Sequence, residues 1–207
     1  PHPAHAVLLS IDNPSFEAPD CDVPLACSNG TFSNNVIDGW TVTGGSLAGG
    51  VFDPVAFGEP GGYSATVGDQ VAYSGIGGGV ISQVLVDVLT ADTKYTLSVD
   101  VGDRPTVGFP GYSIGLYAGG VLLAEDDNSL SPLNGFLTST VMHTAFAGDP
   151  QIGQPLEIRL GSVGQQTNFD NVRLDASRVS TRVPEPATLS LLGLGMVGVA
   201  FAVHRRR

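Results

Sequence analysis

Positive charge is scarce in this chain. Lysine occurs once, at Lys94, and Lys and Arg together number 9 against 20 Asp and Glu. The net charge is −11 although only 14% of residues are charged. Three of the bases are the last three residues, so the chain before Val183 is more acidic still. Such a surface repels phosphate backbones and excludes a nucleic-acid partner. Cysteine is limited to Cys21 and Cys27, too few for a four-ligand zinc site. Tryptophan occurs once, at Trp40. Of four histidines, His2, His5 and His204 lie near the ends and only His143 lies in the body. No Ser–His–acid set can be named from these residues. Sustained helical periodicity is absent before the C-terminal segment.

Glycine is abundant instead, with 28 Gly and 14 Pro, about a fifth of the chain. That proportion suits short strands joined by many turns. Hydrophobic residues at 42% are enough to build a core. Period-two alternation recurs. In "TKYTLSVDVG", Tyr95, Leu97, Val99 and Val101 share one face; in "PLEIRLG", Leu156, Ile158 and Leu160 do. "YSIGLYAGGVLLAE" predicts two strands joined at Gly119-Gly120. "GGVISQVLVDVL" and "FLTSTVMHTAFAG" are further strands. Seven to nine such strands predict an all-β, antiparallel β-sandwich over residues 7–176. Residues 177–182 read as a linker. Ala4-His5-Ala6 has the A-x-A form that precedes signal-peptidase cleavage, so residues 1–6 are expected to be a leader remnant.

From Ala187 to Val203 there are 17 residues without a charge, followed by His204 and Arg205, Arg206 and Arg207. As a helix this run spans about 25 Å, close to a ~30 Å bilayer core. The terminal arginines suit a cytoplasmic face and place the body outside. One transmembrane helix is therefore expected over 187–203. With Val183, Pro184, Glu185 and Pro186 in front, the segment 183–207 resembles the PEP-CTERM sorting signal of Gram-negative bacteria. That resemblance implies an exosortase-type processing enzyme and transient residence in the inner membrane. It then implies removal of the helix and delivery to the cell surface or extracellular matrix. Export in turn favours a Cys21–Cys27 disulfide around "DVPLA".

The body carries "NPSFEAP", "DGW", "GDQVAYSG", "ISQVL", "YTLSVDVG" and "FDNVRL" in order. This series resembles the galactose-binding-like jelly rolls of carbohydrate-binding modules and exported bacterial proteins. Glu17 and Asp170 each follow a phenylalanine, at opposite ends of the series. In that fold the first and last strands lie together, and acids at these positions hold a structural Ca²⁺. A hard cation would let the two carboxylates approach without one taking a proton.

Tyr63, Tyr112 and Tyr117 sit in glycine-rich or turn-adjacent contexts and are candidates for a sugar-binding rim. Trp40, Tyr73 and Tyr95 are expected in the core. Ser113 of "GYSIG" is read as a strand residue, because a hydrolase elbow needs a helix after the serine. "AEDDNSL" is read as a solvated turn and Asn29-Gly30-Thr31 as a polar turn. The functional expectation is an exported, surface-sorted, non-catalytic binding or matrix module with polysaccharide as the ligand class. A purely structural matrix protein and a glycan-active enzyme are the alternatives.

Overall fold

The computed structural model describes residues 6–28, 30–75 and 78–179. The leader remnant before Ala6, Asn29, the sorting motif, the helix expected over 187–203 and the terminal arginines lie outside the described residues. Among the described residues no helix is long and apolar enough to cross a membrane.

Among the described residues eleven strands form two packed antiparallel sheets. They are β1 (Ala6–Leu8), β2 (Thr41–Thr43), β3 (Gly49–Phe52), β4 (Val71–Ser74), β5 (Val80–Val88), β6 (Thr93–Gly102), β7 (Tyr112–Ala118), β8 (Val121–Asp127), β9 (Phe136–Ala145), β10 (Pro155–Ser162) and β11 (Thr167–Arg178). One sheet has the order β3-β4-β11-β6-β9, with β1 also paired to β11. The other has the order β2-β5-β10-β7-β8.

The predicted alternation places the core. Leu97, Val99 and Val101 on β6 and Leu156, Ile158 and Leu160 on β10 are fully buried between the sheets. Ile114 and Leu116 on β7 and Phe169 and Leu174 on β11 meet them there. A strand buries alternate residues, so each sheet keeps one face for water. The β7–β8 turn falls at Gly119-Gly120, as expected. Both glycines have positive φ, 57° and 79°, which a two-residue hairpin of this hand requires.

Three boundaries differ from the sequence reading. The segment from Ser177 to Arg178 is not linker: β11 continues through it, paired with β6 at Lys94 and Thr93. Glu125, Asp126 and Asp127 are not in a turn but on β8. Asp126 is held there by the hydroxyls of Tyr112 (2.6 Å) and Ser139 (2.5 Å), which donate to its Oδ2. An acid with fixed donors is at home in a strand. Ala6 also pairs with Ser177, so the described body starts one residue before the expected Val7.

Candidate functional site

The first cleft forms at one edge of the β3-β4 sheet. Asp53 caps the single-turn helix α1 (Pro54–Phe57), accepting from the backbone N–H of Val55 and Ala56 at 2.9 and 2.8 Å. Gly58 ends the turn in the left-handed region, at φ 87°. The turn leaves Phe57 half exposed, with its ring edge-on to Phe52 at 5.4 Å. Phe32 and Tyr73 complete an aromatic wall around a cleft of about 220 Å³.

Arg104 and Gln166 supply the polar side of this cleft. The Arg104 guanidinium lies 4.6 Å from the ring centres of both Phe52 and Phe57. Its Nε donates to Glu59 Oε1 at 2.6 Å, and Thr106 Oγ1 donates to the same carboxylate. The Glu59 side chain is wholly buried and that of Arg104 is 14% exposed, so the pair meets the cleft as a neutral unit. A hydrogen-bond chain continues inward. Arg104 Nη1 donates to Gln166 Oε1 (2.8 Å), Gln166 Nε2 to Asn168 Oδ1 (2.9 Å), and Asn168 Nδ2 to the Tyr63 hydroxyl (2.8 Å). Beside this chain, Asp103 accepts from Asn134 N–H through Oδ2, while its buried Oδ1 has no partner.

Tyr63 and Tyr112 therefore do not form a rim. Tyr63 is 4% exposed and stacks on Phe136 at 5.3 Å. Burial first, and then the nearby carboxylates of Asp103 and Glu59, push its phenol up. Tyr112 is fully buried, with its hydroxyl on Asp126. Glycine neighbours suggested exposure for both, yet a glycine also lets a large ring approach the backbone. At Gly102 an added Cβ would lie 2.5 Å from the Tyr63 hydroxyl and from the Phe136 ring. Tyr117 is half-buried on β7, with the Arg159 guanidinium 4.1 Å from its ring centre. Trp40, Tyr73 and Tyr95 are buried as expected. Ser113 is an exposed residue of β7, and His143 sits on β9 with its Nε2 unpartnered.

Glu17 and Asp170 are brought to one loop, residues 66–70, from its two ends. Glu17 lies between β1 and β2 and accepts from the N–H of Asp69 and Gln70 at 3.2 and 3.0 Å. Asp170, on β11, accepts from the N–H of Thr66 and Val67 at 2.7 and 2.9 Å and from the Thr66 hydroxyl. Burial raises both carboxyls, and for Glu17 the charge of Asp170 adds to the rise. Once ionised, the two carboxylates would offer hard oxygen donors of the kind Ca²⁺ takes. The loop N–H groups already lend both of them positive partial charge. Among the described residues no group of three or more His, Cys, Asp or Glu gathers as a metal site. Cys21 and Cys27 form the expected disulfide, with Cα atoms 4.9 Å apart. Gln70 ties its loop down, accepting from Cys21 N–H and donating to the carbonyls of Phe16 and Pro19.

The profile of the HpiC1-like family (HpiC1 cyclase) matches residues 7–175. This chain belongs to the HpiC1-like family. A second profile, the PEP-CTERM protein-sorting motif, matches residues 182–207, so this HpiC1-like chain carries a signal for export and surface sorting by an exosortase-type enzyme. The Stig cyclase Fisc from Fischerella sp. TAU, in complex with (3Z)-3-(1-methyl-2-pyrrolidinylidene)-3H-indole, is 31% identical. The match covers 85% of this chain and 100% of that one, with a TM-score of 0.72. A cyclase from the same organism in complex with 4-(1H-indol-3-yl)butan-2-one is also 31% identical, over 84% of this chain and 100% of its own, with a TM-score of 0.70. The carbohydrate-binding module TmCBM61, in complex with β-1,4-galactotriose, is 16% identical over 79% of this chain and 94% of its own, with a TM-score of 0.49. Among curated proteins there is no match.

Sequence reading missed the aromatic cleft. Its residues are scattered from Phe32 to Gln166 and share no motif. The one available signal was Arg104 in a glycine- and proline-rich turn, in a chain with few bases to spend on structure.

Proposed function

We propose that the body is a surface-sorted member of the cyclase family that takes a flat, largely apolar, indole-type molecule in the aromatic cleft, with ring closure as the reaction class. The observation that carries this reading is the cleft itself. Phe32, Phe52, Phe57 and Tyr73 offer ring faces and edges, and an Arg104–Glu59 unit without net charge lies beneath. Aromatic pairs prefer offset or edge-on contact, and such a wall selects a planar ligand. The exposed Gln165 amide can pair with a ring N–H or a carbonyl.

Among the described residues lining the cleft there is no Asp, Glu or His. Catalysis rests on family membership and on the likeness to the Fischerella cyclases. A non-catalytic module remains the alternative, and it is distinguished by product. The Gram-negative origin, the removal of the helix and the location in an extracellular matrix belong to this proposal through the sorting motif. So does Ca²⁺, which Glu17 and Asp170 would hold.

Titration of the full chain with 4-(1H-indol-3-yl)butan-2-one tests the cleft. Saturable binding is expected, weakened about tenfold in Phe57→Ala by loss of one aromatic contact. Absence of binding, or an unchanged affinity in Phe57→Ala, rejects it. Chromatography of bound indole-type substrates before and after incubation separates a cyclase from a binding module.

A further inference from the structure

The outward face of the β2-β5-β10-β7-β8 sheet carries a second constellation, which shares no lining residue with the cleft and is independent of the reading above. Strand register sets it out as a grid. One row runs Thr41, Ser82, Arg159, Gly115, Glu125 across the five strands. The next row toward one end runs Thr43, Val80, Gly161, Ser113, Asp127. On the other side stand Val84, Glu157, Tyr117 and Leu122.

Two glycines hollow the middle of this grid. Gly115 lies between Arg159 and Glu125, and the Tyr117 ring leans over it: an added Cβ would meet Tyr117 Cε2 at 2.5 Å. Gly161 leaves Ser113 Oγ at 3.1 Å from the same kind of position. The result is a depression of about 370 Å³ on this face of the sheet.

The polar groups in the depression are held in place. Arg159 donates through Nε and Nη2 to the two oxygens of Glu157, at 2.7 and 2.8 Å. Two of the five guanidinium donors are used in this way. Its plane also rests on the Tyr117 ring. A merely solvated sheet face has no need of such a fork, since exposed pairs contribute little. The Glu157 side chain is only 13% exposed, whereas that of Arg159 is 37% exposed and open on one side.

The geometry points to a binding site for a neutral glycan in this depression, with Tyr117, Arg159 and Glu157 as the recognising residues. Vicinal hydroxyls both donate and accept. They match a carboxylate and a guanidinium held side by side, with Ser113 and Thr43 as further partners. Apolar ring faces match the Tyr117 edge and Val80. Glu157 cancels Arg159 and Glu125 adds negative charge, in a chain already at −11. Acidic polymers are therefore disfavoured.

The test is calorimetric titration of the full chain, purified in a sugar-free detergent. The probes are β-1,4-galactotriose, xylohexaose and cellohexaose, with oligogalacturonate as the acidic counterpart. At least one neutral oligosaccharide is expected to bind with Kd in the ~0.1–1 mM range, and oligogalacturonate more weakly. Tyr117→Ala and Arg159→Lys should each lose about tenfold, the second because lysine keeps the charge but not the fork. Phe57→Ala should leave this binding intact, so failure here and failure of the indole cleft are separate results. Should Tyr117→Ala fail to fold, Arg159→Lys decides alone. The site is overturned if no neutral probe binds, or if a folded variant binds as the wild type does.

Discussion

Arg104 shows what a single base does in a chain that has so few. Its charge is held between two phenylalanine rings and a buried carboxylate. Removing the acid alone leaves that charge poorly compensated. Glu59→Gln is expected to destabilise by about 2–3 kcal/mol, less than a wholly buried pair because Arg104 keeps some exposure. Adding Arg104→Met should restore part of the melting temperature, and denaturant curves on the two variants measure it. Asp126 gives a pH dependence of known sign. Burial alone would raise its carboxyl, but hydrogen bonds from Ser139, Tyr112 and Ser129 outweigh that and hold it lowered. A lowered folded value stabilises above the unfolded value and is lost as pH falls through the folded one. Wild type should therefore lose stability below about pH 4 more steeply than Asp126→Asn, in melts taken across that range. Glu17 and Asp170 are raised and act in the opposite sense: their ionisation costs stability as pH rises from the ordinary carboxylate range.

At the scale of elements, the long strands were legible because alternation and paired glycines report directly on a pleated, half-buried surface. Strands β6 and β10 follow the pattern most closely, with Tyr95, Leu97 and Val99 and Leu156, Ile158 and Leu160 buried in alternation. The short β2, β3 and β4 were not legible. Gly49 and Gly50 carry no side chain to alternate, and all four residues of β3 are buried. What forces glycine there is close approach: a Cβ at Gly50 would lie 2.4 Å from the Ser33 carbonyl oxygen. Gly79 is tighter, with the Ala48 carbonyl oxygen at 1.7 Å. Gly79→Ala is expected to cost more than about 3 kcal/mol, whereas Gly45→Ala, with open space around it, should stay within about 0.5 kcal/mol. Thermal melts of the two variants side by side provide the check. Tyr63 and Tyr112 were misplaced for a related reason. The same glycine neighbours that signal a turn also make room for a buried ring, and one sequence does not distinguish these uses.

For the whole molecule, the tail and the sandwich were the most legible features, since hydropathy, terminal charge and strand period are each carried by contiguous residues. The cleft was illegible because tertiary folding alone joins Phe32, Phe57, Arg104 and Gln166. Two predictions belong at this scale. Mass spectrometry of surface or secreted material should find chains ending near Pro184-Glu185-Pro186; mature protein still ending at Arg207 would contradict this. Calcium should raise the melting temperature of the wild type, by about 2.7 kcal/mol of added stability at 100-fold above Kd. The response should vanish in Glu17→Gln and Asp170→Asn. An unchanged midpoint on adding chelator would remove calcium from the account.

Among the described residues the last strand, β11, runs between β6 on one side and β4 and β1 on the other, and the sorting motif follows it in sequence. Any tether at that end pulls along an interior strand, not on a loose edge. Flowing water dragging on an anchored body would then strain many ladder bonds at once, in shear, where peeling an edge would break them one after another. A fold gripped by its middle strand resists such drag for as long as its neighbours on both sides hold.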